Sequence, residues 1–251
     1  MKAKAGTSTS ARAFAVLECV VKSAEPLASP ELLEATGFPK STVHRLLMLL
    51  ESEHLLAREP DGKRYSAGPR LAALSLAALK NPEHRAERHA VLQGLVDEVG
   101  ETCNFTMLDG NEVVYLDRVE AHWPLRLMLA PGSHVPLHCT ASGKLFLALM
   151  PAARRRRLLD AASLKRLTRN TITDKRRLLR ELERIRSEKV GTDNGEFLVG
   201  LTAVAVPVLD TKQRILATVA VHAPTSRMSI ENARRHVPEL RRAAAKLART
   251  L

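Results

Sequence analysis

Two short helices separated by a very short turn constrain the fold most. Ser29-Pro30 is expected to cap and open the first helix, and Gly37 suits its C-terminal cap. Phe38-Pro39 then forms the turn. The second helix is predicted over residues 40–53, where apolar side chains recur at helical spacing: Val43, Leu46, Leu47 and Leu50.

The flanking segments extend this pattern into a complete small domain. A preceding helix is predicted over residues 10–23 from its apolar periodicity. An Asp61-Gly62 turn joins extended pieces at 55–58 and 64–66, as expected for a β-hairpin. The order helix, helix, turn, helix, hairpin predicts a winged helix-turn-helix.

The exposed side of the second helix is the candidate DNA reader, because an α-helix fits the major groove of B-DNA. Arg45 is predicted to read a base, since guanidinium pairs bidentately with guanine. Thr42 would contact a thymine methyl group or a phosphate. The other expected contacts, to phosphate or the minor groove, come from Lys40, Ser41, His44, Lys63 and Arg64. The alternative is an ordinary amphipathic helix with a solvated basic start.

The rest of the chain mixes strands and helices, which indicates an α+β fold. We place the first domain at residues 1–68, a linker helix at 69–80 and a second domain at 81–251. Helices are expected at 83–99, 142–150, 152–162, 174–189 and 229–251. Strands are expected at 102–108, 112–118, 125–130, 201–209 and 214–221.

Charge alone does not identify a partner. The net charge is +12, from 39 basic and 27 acidic residues. Residues 1–80 hold 11 basic and 8 acidic residues, a net charge of +3, so the candidate DNA-binding part is the less basic one. Residues 151–186 hold 13 basic and 4 acidic residues; they are either a second nucleic-acid surface or solvated helix faces.

Five blocks in the same order resemble the IclR family of bacterial transcription regulators, covering about residues 10–250. The resemblance implies a DNA-binding homodimer or homotetramer, with a GAF-like C-terminal domain that binds a small metabolite. It implies no cofactor and no catalytic residues. The blocks are TGFPKSTVHRLL at 36–47, YSAGPRL at 65–71, VYLDRVE at 114–120, PLHCTASGK at 136–144 and TITD at 171–174.

The family resemblance also implies where the effector binds. In members that bind glyoxylate or pyruvate, the ligand carboxylate lies against the turn that corresponds to Ala141-Ser142, at a helix N-terminus. An acidic residue matching Asp193, a cysteine and two serines complete that site. Here the cysteine position is Ala203, and the serine positions are Ala220 and His222.

These departures favour a different ligand. The two alanines would leave room, and Leu127 and Leu129 would line the pocket, so a larger organic acid, with aromatic acids included, is the preferred effector class. His222 would pair with a carboxylate or hydroxyl group, or be a structural histidine. Asp193 would contact the ligand, or stabilise its own turn.

Other functions remain as alternatives. A constitutive DNA-binding regulator with a vestigial pocket would ignore every metabolite. A hydrolase would need Ser142, His138 and Asp193 as a triad, without a nucleophile elbow. A metal site would draw on His138 and Cys139, with His134, Cys103 and His222 as further ligands, but no zinc spacing is present. We expect no metal, no membrane span, a cytoplasmic location and a palindromic DNA site.

Overall fold

The computed structural model describes residues 8–23, 25–79, 82–123 and 129–251. The chain divides into two compact units, Met1–Leu79 and Lys80–Leu251.

In the first unit the elements are α1 (Thr9–Lys22), β1 (Leu27–Ala28), α2 (Ser29–Thr36), α3 (Lys40–Ser52), β2 (Leu56–Arg58), β3 (Arg64–Ala67) and α4 (Pro69–Leu79). Strand β3 lies between β1 and β2, and both pairings are antiparallel. The core forms where α1, α2 and α3 bury their apolar stripes against the hairpin. All four apolar residues of the α3 stripe are buried, as the periodicity predicts.

Two local details of the first unit differ from the prediction. Ser29 is the first residue of α2 and not its cap, because the cap residue is Ala28. The Ala28 amide donates to the Glu31 carboxylate at 2.7 Å, so an acidic side chain in the first turn satisfies the amide of the cap residue. The short strand β1, which the sequence did not predict, pairs with β3 through Leu27 and Tyr65.

The second unit contains α5 (Pro82–Val99), β4 (Thr102–Asp109), β5 (Glu112–Val119), β6 (His134–Pro136), α6 (Ala141–Leu149), α7 (Ala152–Ala161), α8 (Lys175–Glu188), β7 (Gly191–Asn194), β8 (Leu201–Leu209), β9 (Ile215–Pro224), α9 (Ile230–Arg235), α10 (Val237–Leu247) and a short 3-10 turn, Ala248–Thr250.

The strands of the second unit form one antiparallel sheet in the order β6-β5-β4-β9-β8-β7. Helix α6 packs on one face and α8 packs against α6, and Ala203, Ala205 and Ala220 join their core. Successive strand residues face opposite sides, so Val204 and Val206 point to the other face, where α10 packs. The sheet is therefore covered by helices on both faces.

Two features of the second unit differ from the prediction, and a third is only partly described. The helix predicted over 229–251 is interrupted at His236, which separates α9 from α10. The edge strands β6 and β7 were not predicted. Most of the strand predicted over 125–130 lies outside the described residues, and residues 129–130 are not in a strand.

Candidate nucleic-acid interface and ligand cavity

The turn between α2 and α3 is held by its own backbone and one threonine. Gly37 adopts a left-handed conformation, with φ of 69°, and its amide donates to the Leu33 carbonyl at 2.9 Å. The buried Thr36 hydroxyl donates to the Leu32 carbonyl at 2.6 Å and accepts from the Phe38 amide at 3.3 Å. The angle at which α3 leaves the turn is thus set by neighbours in sequence.

The start of α3 presents a polar and basic surface. Lys40, Ser41, His44 and Arg45 are exposed, and Thr42 is half-buried. Within the described part of the chain, no carboxylate lies within ion-pair distance of Lys40 or Arg45. These side chains are free to contact an anionic partner.

The hairpin tip is ordered by Asp61. Its carboxylate accepts from the Lys63 amide at 2.9 Å and the Arg64 amide at 3.1 Å, and it pairs with the Arg64 guanidinium at 2.6 Å. These bonds lower the pKa of Asp61 to about 2, with the Lys63 amide contributing most. Lys63 is exposed, whereas Arg64 is held by Asp61.

An ion pair between the hairpin and α3 was not predicted from the sequence. The Arg58 guanidinium on β2 donates to the Glu51 carboxylate on α3 at 2.8 Å and lies 5.1 Å from the Tyr65 ring. The pair ties the wing to the end of the candidate reading helix.

A cavity of about 20 Å³ lies between the start of α6 and the sheet. It brings together seven of the eight predicted effector residues: Leu129, Ala141, Ser142, Asp193, Ala203, Ala220 and His222. The eighth, Leu127, lies outside the described residues. Sequence reasoning missed six further lining residues: Asn104, Tyr115, Val135, Thr140, Phe197 and Leu201.

Strand pairing explains why these distant residues meet. Ala203 on β8 is opposite both Asp193 on β7 and His222 on β9. One strand further, Asn104 on β4 is opposite Ala220. Residues that are paired across a sheet point to the same face, so these side chains share the face that α6 covers.

The volume of the cavity is smaller than Ala203 and Ala220 suggested. Ala203 and Ala220 do line it, but Tyr115, Phe197 and Leu201 line it as well. A cavity of ~10–15 Å³ holds one water molecule, and a cavity of ~150 Å³ accepts benzene. The cavity of this structure is therefore small despite Ala203 and Ala220, because bulky side chains on β5, on β8 and in the turn after β7 also line it.

The N-terminus of α6 faces the cavity. Thr140 caps the helix by accepting from the Gly143 amide at 3.1 Å, whereas the first helical amides, of Ala141 and Ser142, have no carbonyl within the helix to bind. A side chain at Gly143 would overlap the backbone of Leu137, so glycine is required for this close approach. The Ser142 hydroxyl accepts from Thr218 at 2.8 Å.

Asp193 both stabilises its turn and faces the cavity. Its Oδ1 accepts from the Glu196 amide at 2.7 Å and the Phe197 amide at 3.4 Å, so the structural role foreseen for it is present. Burial raises the pKa of Asp193 to about 7. The carboxyl group can therefore change its charge near neutral pH.

An ion-pair network begins beside this turn. The buried Lys144 ammonium pairs with Glu196 and lies 3.6 Å from Glu181. Arg184 continues the network by pairing with Glu181 and Glu188, each at 2.7 Å. The buried lysine next to the helix N-terminus is thus matched by carboxylates and keeps α6, α8 and the turn after β7 together.

The other candidate chemistries receive little support. His138 is not among the residues lining the cavity, and its Nε2 lies 3.0 Å from the Lys165 carbonyl, so it is not joined to Ser142. In the described ranges, no group of three or more His, Cys, Asp or Glu side chains is placed to hold a metal ion. The same ranges contain no helix long and apolar enough to cross a membrane.

Comparisons with known proteins agree with this architecture. Residues 76–249 match the C-terminal domain of bacterial IclR transcriptional regulators, and residues 9–60 match the IclR helix-turn-helix domain. The chain is 46% identical over 239 residues, 95% of each chain, to a probable transcriptional regulator, SauR, from Cupriavidus necator.

Solved structures agree as well. The crystal structure of Thermotoga maritima IclR superposes with a TM-score of 0.64 and 31% identity, covering 97% of this chain and 98% of that one. The inducer-binding domain of a PobR double mutant from Acinetobacter, in complex with 3-hydroxybenzoic acid, superposes with a TM-score of 0.59 and 28% identity, covering 64% and 94%. With the helix-turn-helix in one unit and the cavity in the other, the chain belongs to the IclR family of bacterial transcription regulators.

Proposed function

We propose that this protein binds specific duplex DNA through α3 and that a small organic acid, bound in the cavity of the second unit, changes its affinity for DNA. The observation that carries the proposal is the pairing of two features in one chain. One is a helix-turn-helix whose second helix exposes a polar, basic start. The other is a small cavity at a helix N-terminus. This function requires a cytoplasmic location and neither a cofactor nor a metal.

Recognition of DNA rests on the exposed face of α3. A helix in the major groove presents its N-terminal side chains to base edges, and Arg45 lies on the second turn. Phosphate contacts fix the register without reading sequence, and Lys40, Ser41, His44 and Lys63 are suited to them. Thr42 and Arg64 would contribute once DNA is bound, the latter by exchanging Asp61 for a phosphate.

The DNA proposal is tested by selecting binding sites from a pool of randomised duplexes and measuring affinity by fluorescence anisotropy. Arg45→Ala should weaken binding to the selected site by ~1–3 kcal/mol and relax preference at one base pair. Lys212→Ala, which removes one exposed charge from a turn in the other unit, is the matched control. If Arg45→Ala weakened binding equally on every DNA sequence, Arg45 would not read a base.

An acid is favoured as ligand by the start of α6. Free amides at a helix N-terminus attract carboxylates, and Ala141 and Ser142, the first two residues of α6, line the cavity. The PobR domain similar to this unit is described with 3-hydroxybenzoic acid, which supports the same class. The volume of about 20 Å³ favours a short acid over an aromatic one.

Ligand binding is tested by thermal shift with glyoxylate, pyruvate, benzoate, hydroxybenzoates and phenylacetate. A ligand at ~100 times its dissociation constant adds ~2.7 kcal/mol of stability. A shift with aromatic acids alone would contradict the argument from volume. An acid that binds without changing DNA affinity, or no binding at all, would favour a constitutive DNA-binding regulator.

The DNA site is expected to be palindromic, because a two-fold dimer reads two equal half-sites. Helix α4 supports a dimer: no described residue of it is buried, and Leu74 is 56% exposed although the helix is rich in leucine and alanine. We infer that residues 69–80 link a DNA-binding domain, 1–68, to an effector-binding and oligomerisation domain, 81–251. Light scattering with and without DNA would distinguish monomer, dimer and tetramer.

A further inference from the structure

Asn104 and His222 form a buried polar pair on the sheet side of the cavity. Asn104 is 3% exposed and His222 is 5% exposed, and the Asn104 amide nitrogen lies 3.1 Å from His222 Nδ1. Both residues line the cavity. Within the described ranges, the remaining atoms of the pair, Asn104 Oδ1 and His222 Nε2, are buried without a hydrogen-bond partner.

The pair has one hydrogen-bond donor and one acceptor to offer. Burial lowers the pKa of His222 to about 3, and the charge of Arg118 acts in the same direction, so the imidazole is neutral. If the amide of Asn104 donates to Nδ1, then Nε2 carries a proton and Oδ1 is a free acceptor. If the amide is turned over, Nε2 is the acceptor and the Asn104 NH₂ group is the donor. Both arrangements present one of each.

Few ligand groups satisfy both atoms at once. A ketone or carboxylate oxygen only accepts, so it would leave a buried acceptor facing it. An alkyl group would leave both atoms unsatisfied, and each buried unsatisfied group weakens binding. A hydroxyl group both donates and accepts, and therefore matches the pair in either arrangement.

We infer that the cavity selects a short acid that carries a hydroxyl group, with the hydroxyl bound by Asn104 and His222 and the carboxylate by the start of α6. The inference rests on the proposed function, because it names the ligand class of the same cavity. A cavity of about 20 Å³ holds little more than one water molecule, so even a short acid must move the surrounding side chains apart, and a bulky acid must move them further. Asn104 and His222 would then determine specificity, and α6 would supply the general preference for acids.

The experiment compares hydroxy acids with their parent acids on the full-length protein. Glycolate is paired with acetate, and lactate and 3-hydroxypropionate are each paired with propionate, in thermal shift followed by titration calorimetry. We expect at least one hydroxy acid to bind ~10- to 100-fold more tightly than its parent acid. This wild-type comparison does not depend on any variant folding.

Two variants test whether the preference for hydroxy acids comes from Asn104 and His222. Asn104→Leu and His222→Leu should each reduce the ratio of hydroxy-acid to parent-acid affinity towards one. Thr202→Val is the matched control: Thr202 Oγ1 is also buried without a described partner, but the residue does not line the cavity. Thr202→Val should keep the wild-type ratio of hydroxy-acid to parent-acid affinity. If the leucine variants acted only by disturbing the sheet, Thr202→Val would lower this ratio as well.

The outcomes separate this inference from the proposed function. Parent acids that bind as tightly as the hydroxy acids would overturn the hydroxyl site and leave regulation by an acid intact. A preference that survives both leucine variants would overturn the roles of Asn104 and His222. If no acid of either kind binds or alters DNA affinity, the proposed acid effector fails and the hydroxyl site fails with it.

Discussion

Replacing Asp193 with asparagine tests whether a buried, ionisable carboxyl group faces the cavity. Asp193 is 1% exposed, and its pKa is raised to about 7 by burial, from an ordinary value of 3.8. A group whose pKa is higher in the folded state stabilises the fold when protonated. Its contribution is fully present below about pH 3.8 and is lost as pH rises through about 7.

The size of the effect follows from this difference. Each pH unit well below the folded-state pKa removes ~1.4 kcal/mol, and the slope falls off near that pKa, so the wild type should lose ~3 kcal/mol between pH 5 and pH 8 through this group. Asparagine keeps the acceptor for the Glu196 and Phe197 amides and has no charge to lose. The free energy of unfolding of Asp193→Asn should therefore rise by ~3 kcal/mol relative to that of the wild type over this interval.

The assay is urea unfolding at pH 5, 6, 7 and 8, followed by the fluorescence of Trp123. It is the one tryptophan of the chain and lies in the second unit, so it reports the unit that contains Asp193. A difference between variant and wild type that is constant from pH 5 to pH 8 would refute the reasoning. It would mean that Asp193 ionises in its ordinary range.

Asp210→Asn is the control, because the pKa of Asp210 is shifted in the opposite direction. Burial acts to raise the pKa of Asp210, but hydrogen bonds from the Arg214 amide and guanidinium outweigh it, and the net pKa is lowered. Asp210 therefore stabilises the fold at every pH above its ordinary range. Its replacement should cost stability equally at pH 5 and pH 8.

Four further predictions concern packing and ligand binding. Gly143→Ala should destabilise the second unit by ~1–3 kcal/mol in urea unfolding, because the added methyl overlaps the Leu137 backbone. Gly94→Ala, in a helix with open space at that position, should stabilise it by ~1 kcal/mol; a loss would contradict the clearance found there. Leu46→Ala should cost the first unit ~2–5 kcal/mol by circular dichroism, because Leu46 is buried, and a smaller cost would mean that α3 repacks. The affinity of any anionic acid should fall as pH rises through about 7, when Asp193 becomes charged, and Asp193→Asn should remove this dependence in calorimetry.

Local signals predicted the elements that depend on nearby residues. The α3 stripe, the left-handed Gly37 and the Asp61-Gly62 turn all follow from residue types within a few positions. The edge strands β6 and β7 were not predictable in this way. They are three and four residues long, and only pairing with β5 and β8 makes them strands.

The cavity was predicted only in part, because its lining depends on the order of strands. Family resemblance supplied Asp193, Ala203 and His222, on strands that follow one another along the sheet. Asn104 was missed because β4 pairs with β9, far away in sequence. A polar residue inside an otherwise buried strand was the available signal, since such a residue needs a partner.

The buried polar residues under α6 are the strongest support for the ligand site that we propose. Thr106 and Thr218 share a hydrogen bond of 2.6 Å, and Thr218 donates to Ser142. Asn104 and His222 satisfy each other only in part. Apolar side chains at these positions would pack the sheet against the helix without the cost of burying polar groups. A chain selected for stability alone would replace them, and sequences break such packing rules mainly at functional sites. A ligand that completes the hydrogen bonds of Asn104 and His222 would recover part of that cost on binding, which couples occupancy of the cavity to the stability of the second unit.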